Sequence, residues 1–120
     1  MSLSFDNLIA IHEMLWPDTN LQQQCAKFEE EESEFVHTLA GTEDEIFELA
    51  DMVIVSAGIA RFNYTKGLDY LYRALDVGRT VDYGANDVWQ AVEIKMRKNM
   101  KRDWKKKDDV GYKHTKGIED

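Results

Sequence analysis

The sequence predicts an all-α protein, a small bundle of four to five helices. Apolar residues recur three and four positions apart through most of the chain, and no stretch alternates with period two. Proline, which interrupts helices, occurs once, at Pro17. With 120 residues, 43% of them hydrophobic, the chain can bury one modest core, so we expect a single folded domain.

The first two helices are predicted from a proline and from residues that favour helix caps. The first covers about residues 6–16, with Ser4 or Asp6 as its cap, and Pro17 ends it. The pattern Thr19-x-x-Gln22 resembles a capping box and predicts a second helix that runs to about residue 39.

The third helix is predicted to be buried on all sides. Thr42-x-x-Glu45 is a second capping box, and the helix should continue to about residue 62. Residues 49–60 are apolar almost throughout, apart from Asp51, whose ionised carboxylate is costly to bury unless a positive charge compensates it. Lys27 is the only Lys or Arg before Arg61, so the neighbouring sequence offers no partner, and we expect a divalent cation there.

The last third of the chain predicts two more helices and a tail. Residues 63–67 should end the third helix, and residues 67–79 form a short fourth one. After a turn, Asn86 or Asp87 should cap a last helix that ends at about Trp104. The domain is therefore predicted to cover residues 1–104, followed by a basic tail at 105–120.

Charge and composition narrow the function. The net charge of −8 argues against nucleic acid or an anionic membrane as the main partner, although eight Lys and Arg fall within residues 95–107. Cys25 is the only cysteine, which excludes an internal disulfide and a thiolate metal cluster. The start of the chain does not resemble a signal peptide, and the longest apolar run is too short to cross a bilayer, so we expect a cytoplasmic protein.

Two pairs of carboxylates are the strongest functional signal. Glu31/Glu34 and Glu48/Asp51 are each spaced i, i+3, which places both members on one helix face. The short loop between their helices makes these helices antiparallel neighbours, so the four carboxylates can meet. Periodicity alone allows Glu32 as well as Glu31 to face this site. A solvated acidic helix face is the alternative for either pair.

Carboxylate oxygens without Cys or His are the ligands of hard cations, which indicates Mg²⁺, with Mn²⁺ as the alternative. Mg²⁺ commonly bridges protein carboxylates to substrate phosphates and activates water. The basic late helix could hold the phosphates of such a complex. A solvated helix end is the other interpretation of most of those lysines.

Three blocks of sequence resemble the MazG-like, all-α nucleoside triphosphate pyrophosphohydrolases, a group related to dimeric dUTPases and phosphoribosyl-ATP pyrophosphohydrolases. The blocks are Lys27-Phe-Glu-Glu-Glu-Glu-Ser-Glu-Phe35, Glu48-Leu-Ala-Asp51 and Lys95-x-x-x-Asn99. The chain departs from the family pattern at Glu32-Ser33 and at Ala50, so the family's choice of substrate is not carried over.

The resemblance implies roles for individual residues. The four Mg²⁺ ligands would be Glu31, Glu34, Glu48 and Asp51. Glu30 would lie in the outer shell, and Glu31 would also orient the attacking water. Lys95 would contact phosphates, Asn99 the metal or sugar end of the substrate, and Arg102 would be a third contact. Trp16 lies where related enzymes build a nucleobase pocket, although packing in the core or at a subunit interface is the alternative.

The function predicted in this way is the Mg²⁺-dependent hydrolysis of a nucleoside triphosphate, in particular a deoxynucleotide, to the monophosphate and pyrophosphate. The resemblance also implies a homodimer or homotetramer. The alternative is a non-enzymatic helical protein whose acidic crevice binds a divalent ion or a basic partner. A di-iron bundle is excluded because Glu34-x-x-His37 occurs only once, whereas such bundles need two of these elements.

Overall fold

The computed structural model describes residues 3–38, 41–102, 104–106 and 112–114. These residues form five α-helices and one pair of three-residue antiparallel strands, which agrees with the predicted helical class. The helices are α1 (Phe5–Leu15), α2 (Leu21–His37), α3 (Glu43–Ala60), α4 (Tyr64–Thr80) and α5 (Ala85–Lys101). The strands are β1 (Trp104–Lys106) and β2 (Tyr112–His114), with Lys105 opposite Lys113.

Helix α3 is the centre of the bundle and packs against each of the other four helices. From Leu49 to Ala60 every residue is buried except Asp51, which is partly exposed. This confirms the helix that the continuous apolar run predicts. Among the described residues, no helix combines the length and the apolar character needed to cross a membrane.

Several predicted helix ends are shifted. Ser4 caps α1 as predicted, and its hydroxyl accepts a hydrogen bond from the Asn7 amide at 3.0 Å. Asn20, not Thr19, caps α2, because its side chain accepts from the Gln23 amide. Asn63 caps α4 in the same way, so residues 63–67 begin the fourth helix instead of ending the third.

The last helix also differs from its prediction. Its N-cap is Gly84, earlier than the predicted Asn86 or Asp87, and the Asp87 carboxylate accepts from the Gly84 amide at 3.2 Å. The helix ends at Lys101 because Arg102 is extended, with φ −80° and ψ 152°. The strands β1 and β2 lie where the sequence predicts the end of this helix and the tail. Most of residues 105–120 lie outside the described part of the chain.

Helices α2 and α3 are antiparallel, and successive turns of α2 lie beside successive turns of α3. Gln24 touches Gly58 near the end of α3, whereas seven residues further along α2 the carboxyl group of Glu31 interacts with that of Asp51. Glu34 meets Glu48 one turn beyond. Seven helical residues span about 10 Å, so two polar levels lie about 10 Å apart along the same helix pair.

The first polar level, which we call the polar layer, consists of His12, Gln24 and the backbone of Gly58. Nε2 of His12 lies 3.1 Å from Oε1 of Gln24, and Nδ1 accepts a hydrogen bond from Arg61 at 3.0 Å. Because Arg61 can only donate, Nε2 carries the proton that Gln24 accepts. Burial and the Arg61 charge lower the pKa of His12 to about 3, so the ring is neutral. The polar layer thus joins α1, α2 and α3.

The polar layer requires a glycine at position 58. A Cβ there would overlap Oε1 of Gln24 and lie 2.5 Å from Nε2 of His12. We expect Gly58→Ala to lower the free energy of unfolding by roughly 2–3 kcal/mol, through overpacking and a lost buried hydrogen bond. Thermal and urea unfolding would measure the change.

Gly78→Ala is the matched control, because a Cβ there meets its nearest neighbour, Val88 Cγ2, at 3.4 Å. It should leave stability within about 1 kcal/mol of the wild type, helped by the higher helix propensity of Ala. Equal losses in the two variants would show that the Gly58 contact is not special.

Candidate metal centre

The second polar level is a group of carboxylates between α2 and α3. One oxygen each from Glu31, Glu48 and Asp51 forms a set in which all atoms lie within 4.8 Å of one another. We call this set the inter-helix group. Glu31 is only 6% exposed, whereas Glu48 and Asp51 are partly exposed. The group is therefore open to solvent on one side and bounded by the core on the other.

A second set, the outer group, consists of Glu30, Glu31 and Glu34 on α2, also with oxygens within 4.8 Å of one another. Glu31 belongs to both sets. The exposed Glu34 lies within hydrogen-bonding reach of Glu48, which connects the sets a second time. All four carboxylates predicted as metal ligands thus lie together at one end of the α2–α3 pair.

Tertiary packing decides between Glu31 and Glu32, which periodicity does not. Glu32 forms two hydrogen bonds with Arg73 of α4, at 3.0 and 2.5 Å. The same Arg73 lies over the rings of Phe28 and Tyr70. Glu32 is therefore held on the α4 side, and Glu31 is the residue that faces α3.

Two lysines partly compensate the carboxylates. Nζ of Lys95 lies 3.4 Å from Oδ1 of Asp51. The neighbouring sequence offers Asp51 no basic partner, and α5, which packs on α3, supplies the charge from 44 positions away. On the other side, Nζ of Lys27 lies 2.8 Å from Glu30 and 3.3 Å from Oε2 of Glu31.

Burial raises the pKa values of the three acids in the inter-helix group, and neighbouring carboxylates add to this. Burial, followed by the charge of Asp51, raises the pKa of Glu31 to about 8, although Lys27 opposes this. Burial and the same neighbour raise the pKa of Glu48 to about 7. Burial also raises the pKa of Asp51, against the effect of Lys95. Additional positive charge would therefore favour ionisation of the whole group.

Two buried oxygens of the inter-helix group lack hydrogen-bond partners among the described residues, namely Oε1 of Glu31 and Oε2 of Glu48. Buried polar atoms are normally paired, so such oxygens mark a place for a bound group. All donors are carboxylate oxygens, which fits Mg²⁺ or Mn²⁺ and disfavours zinc. The residues present therefore fit the predicted ion.

The other predicted site residues lie in different surroundings. Asn99 is 5% exposed, and its amide oxygen accepts from Arg102 at 3.2 Å. Trp16 is 7% exposed, with its ring edge-on to His12 at a centroid distance of 4.7 Å. The carbonyl oxygen of Trp16 accepts a hydrogen bond from Arg61. Arg61 follows Asp51 by ten residues, which is about 15 Å along the helix axis. The substrate contacts predicted for Asn99, Arg102 and Trp16 stay predictions.

Sequence reasoning missed one member of the centre, Lys27, which it used only as part of a motif. The signal was present, because Lys27 precedes Glu30 and Glu31 by three and four residues, a spacing that brings side chains together on a helix.

Comparisons with protein-family models, curated proteins and solved structures found no match to this chain. The MazG-like resemblance therefore remains a prediction from the three sequence blocks.

The raised pKa values predict how stability depends on pH. Folding raises the pKa of Glu31 and Glu48 from 4.5, so these two groups bind more protons in the folded state than in the unfolded state from about pH 4.5 to 8. The lowered pKa of His12 acts in the opposite direction below about pH 6.5. Without metal, the free energy of unfolding should therefore fall most clearly as pH rises from about 6.5 to 8, and level off above that. Urea unfolding in EDTA at several pH values would measure this slope.

Glu31→Gln should flatten that slope, because the amide stays neutral. At pH 8 we expect the variant to be more stable than the wild type by roughly 1–3 kcal/mol, with the difference vanishing near pH 4.5. Glu29→Gln, at an exposed position of the same helix, is the control and should retain the wild-type slope. A wild-type slope in Glu31→Gln would contradict the shift.

The Lys95–Asp51 pair can be tested by a double-mutant cycle at pH 8. Lys95→Met should cost roughly 1–3 kcal/mol, because it leaves a carboxylate in the crevice without its partner, and Asp51→Asn should restore most of the loss. Lys98→Met is the control, since the contact that Lys98 makes within the described residues is with the Phe47 ring. If the effects of Lys95→Met and Asp51→Asn add, the two groups do not interact.

Proposed function

We propose that the chain is an Mg²⁺-dependent hydrolase of nucleoside triphosphates, in particular deoxynucleotides, which releases pyrophosphate. The observation that carries the proposal concerns the Glu31 carboxylate, which belongs to the set within 4.8 Å of carboxylates from a second helix. One of its oxygens is buried and has no hydrogen-bond partner among the described residues. Buried polar atoms are normally paired, so this oxygen marks a place for a bound group.

Residues of the chain itself would bind the ion and orient the attacking water. Glu31, Glu34, Glu48 and Asp51 would hold the ion, which when bound supplies Lewis-acid polarisation of a phosphate and lowers the pKa of a coordinated water. Glu31 would also orient the attacking water, because its nearly buried carboxylate lies at the inner wall of the crevice, beside the other acids. The buried apolar surface of α3 limits the access of bulk water from behind.

The polyphosphate would be held from the α5 side. Lys95 already lies at the carboxylates, and Lys98 is next to Phe47, one turn before Asp51 on α3. Arg102, which donates a hydrogen bond to Asn99, lies at the C-terminal end of α5. Acidic residues on one side of a crevice and basic residues on the other suit a metal–polyphosphate complex, since each side neutralises one component.

The test is hydrolysis of a panel of dNTPs and NTPs with Mg²⁺, followed by pyrophosphate release. We expect turnover of at least one nucleotide, abolished by EDTA and lowered roughly 1,000-fold or more in Asp51→Asn. Glu29→Gln should retain full activity, because Glu29 is exposed and belongs to neither carboxylate set.

The product distinguishes the proposal from other phosphate chemistry. Release of inorganic phosphate in place of pyrophosphate would reject the pyrophosphohydrolase reaction. If no nucleotide turns over while the ion still binds, the non-enzymatic ion-binding protein is the better description.

A further inference from the structure

The outer group already contains a cation, the ammonium group of Lys27. Its Nζ lies 2.8 Å from Oε1 of Glu30 and 3.3 Å from Oε2 of Glu31, two of the three carboxylates of that set. The Lys27 side chain is 25% exposed, so this contact is not a freely solvated surface pair. The carboxylates hold the pKa of Lys27 above its usual value, against the effect of burial.

This ammonium and a divalent ion would compete for the same oxygens. Like charges at such short separation repel, and the oxygens that face Lys27 are those a metal in the outer group would need. Among the described residues, Oε1 of Glu31 has no hydrogen-bond partner, and this oxygen remains for the inter-helix group. In that group Nζ of Lys95 lies at a longer distance, 3.4 Å from Oδ1 of Asp51.

We propose that Lys27 takes the place of a second divalent ion, so that the nucleotide-free chain binds one ion, in the inter-helix group. The inference rests on the metal centre of the proposed function and adds its stoichiometry. Glu31 joins the two positions, with one oxygen on the Lys27 ammonium and the other on the ion. Removal of the ammonium frees Glu30 and Glu31, which together with Glu34 form a second ion site.

The experiment counts Mn²⁺ ions bound per chain, by equilibrium dialysis and by electron paramagnetic resonance, without nucleotide. We expect one ion in the wild type, two in Lys27→Met and one in Lys27→Arg, which keeps the charge. Lys66→Met is the matched control at an exposed lysine and should bind one ion. Asp51→Asn in the Lys27→Met background should remove the inter-helix ion and leave the outer one.

Two ions in the wild type, or one ion in a folded Lys27→Met, would overturn the inference. Glu30→Gln provides a second route if Lys27→Met does not fold. It removes a carboxylate from the outer group and should leave one ion, whereas loss of the only ion would show that it sits in the outer group.

Failure of the proposed function gives a different result. A wild type that binds no Mn²⁺ would reject the metal centre and the inference with it. One bound ion with no nucleotide hydrolysis would reject the activity alone and keep the stoichiometry.

Discussion

The burial of α3 on every side is the constraint on which the rest of the structure depends. A helix surrounded by four others has no solvent-facing side for polar residues except near its ends. Glu48 and Asp51 lie at the edge of its buried stretch, so their charges have to be balanced by neighbouring elements. Lys95 from α5 supplies part of this balance, and burial still raises the pKa of both acids.

Because α2 packs antiparallel to α3, polar residues of the two helices meet at two levels, the polar layer and the carboxylates. In the polar layer, the neutral His12 joins three helices through Gln24 and Arg61. About 10 Å away along the same pair lie the carboxylates, where an oxygen of Glu31 has no hydrogen-bond partner among the described residues. The polar layer connects the helices, and the carboxylate level is where a cation would add most.

The site also shows how charge is shared between near and distant parts of the chain. Lys27 acts over one helical turn, on the outer group, whereas Lys95 acts across the bundle, on Asp51. Arg73 binds Glu32 and so keeps one glutamate of the acidic run away from the others. Lys27, Arg73 and Lys95 thus form their ion pairs with different carboxylates, which gives the adjacent glutamates different environments.

The sequence by itself determined the helical class, the buried third helix and the two carboxylate pairs, because hydrophobic periodicity and i, i+3 spacing are local properties of a helix. It left Ser4 and Asp6 as alternative caps of α1, of which the structure shows Ser4, and it misplaced the start of α4, where Asn63 caps a new helix. Only the tertiary structure decided that Glu31 faces α3 and that Lys95 reaches Asp51. Both depend on how helices distant in sequence pack together, which the spacing of residues within one helix does not specify.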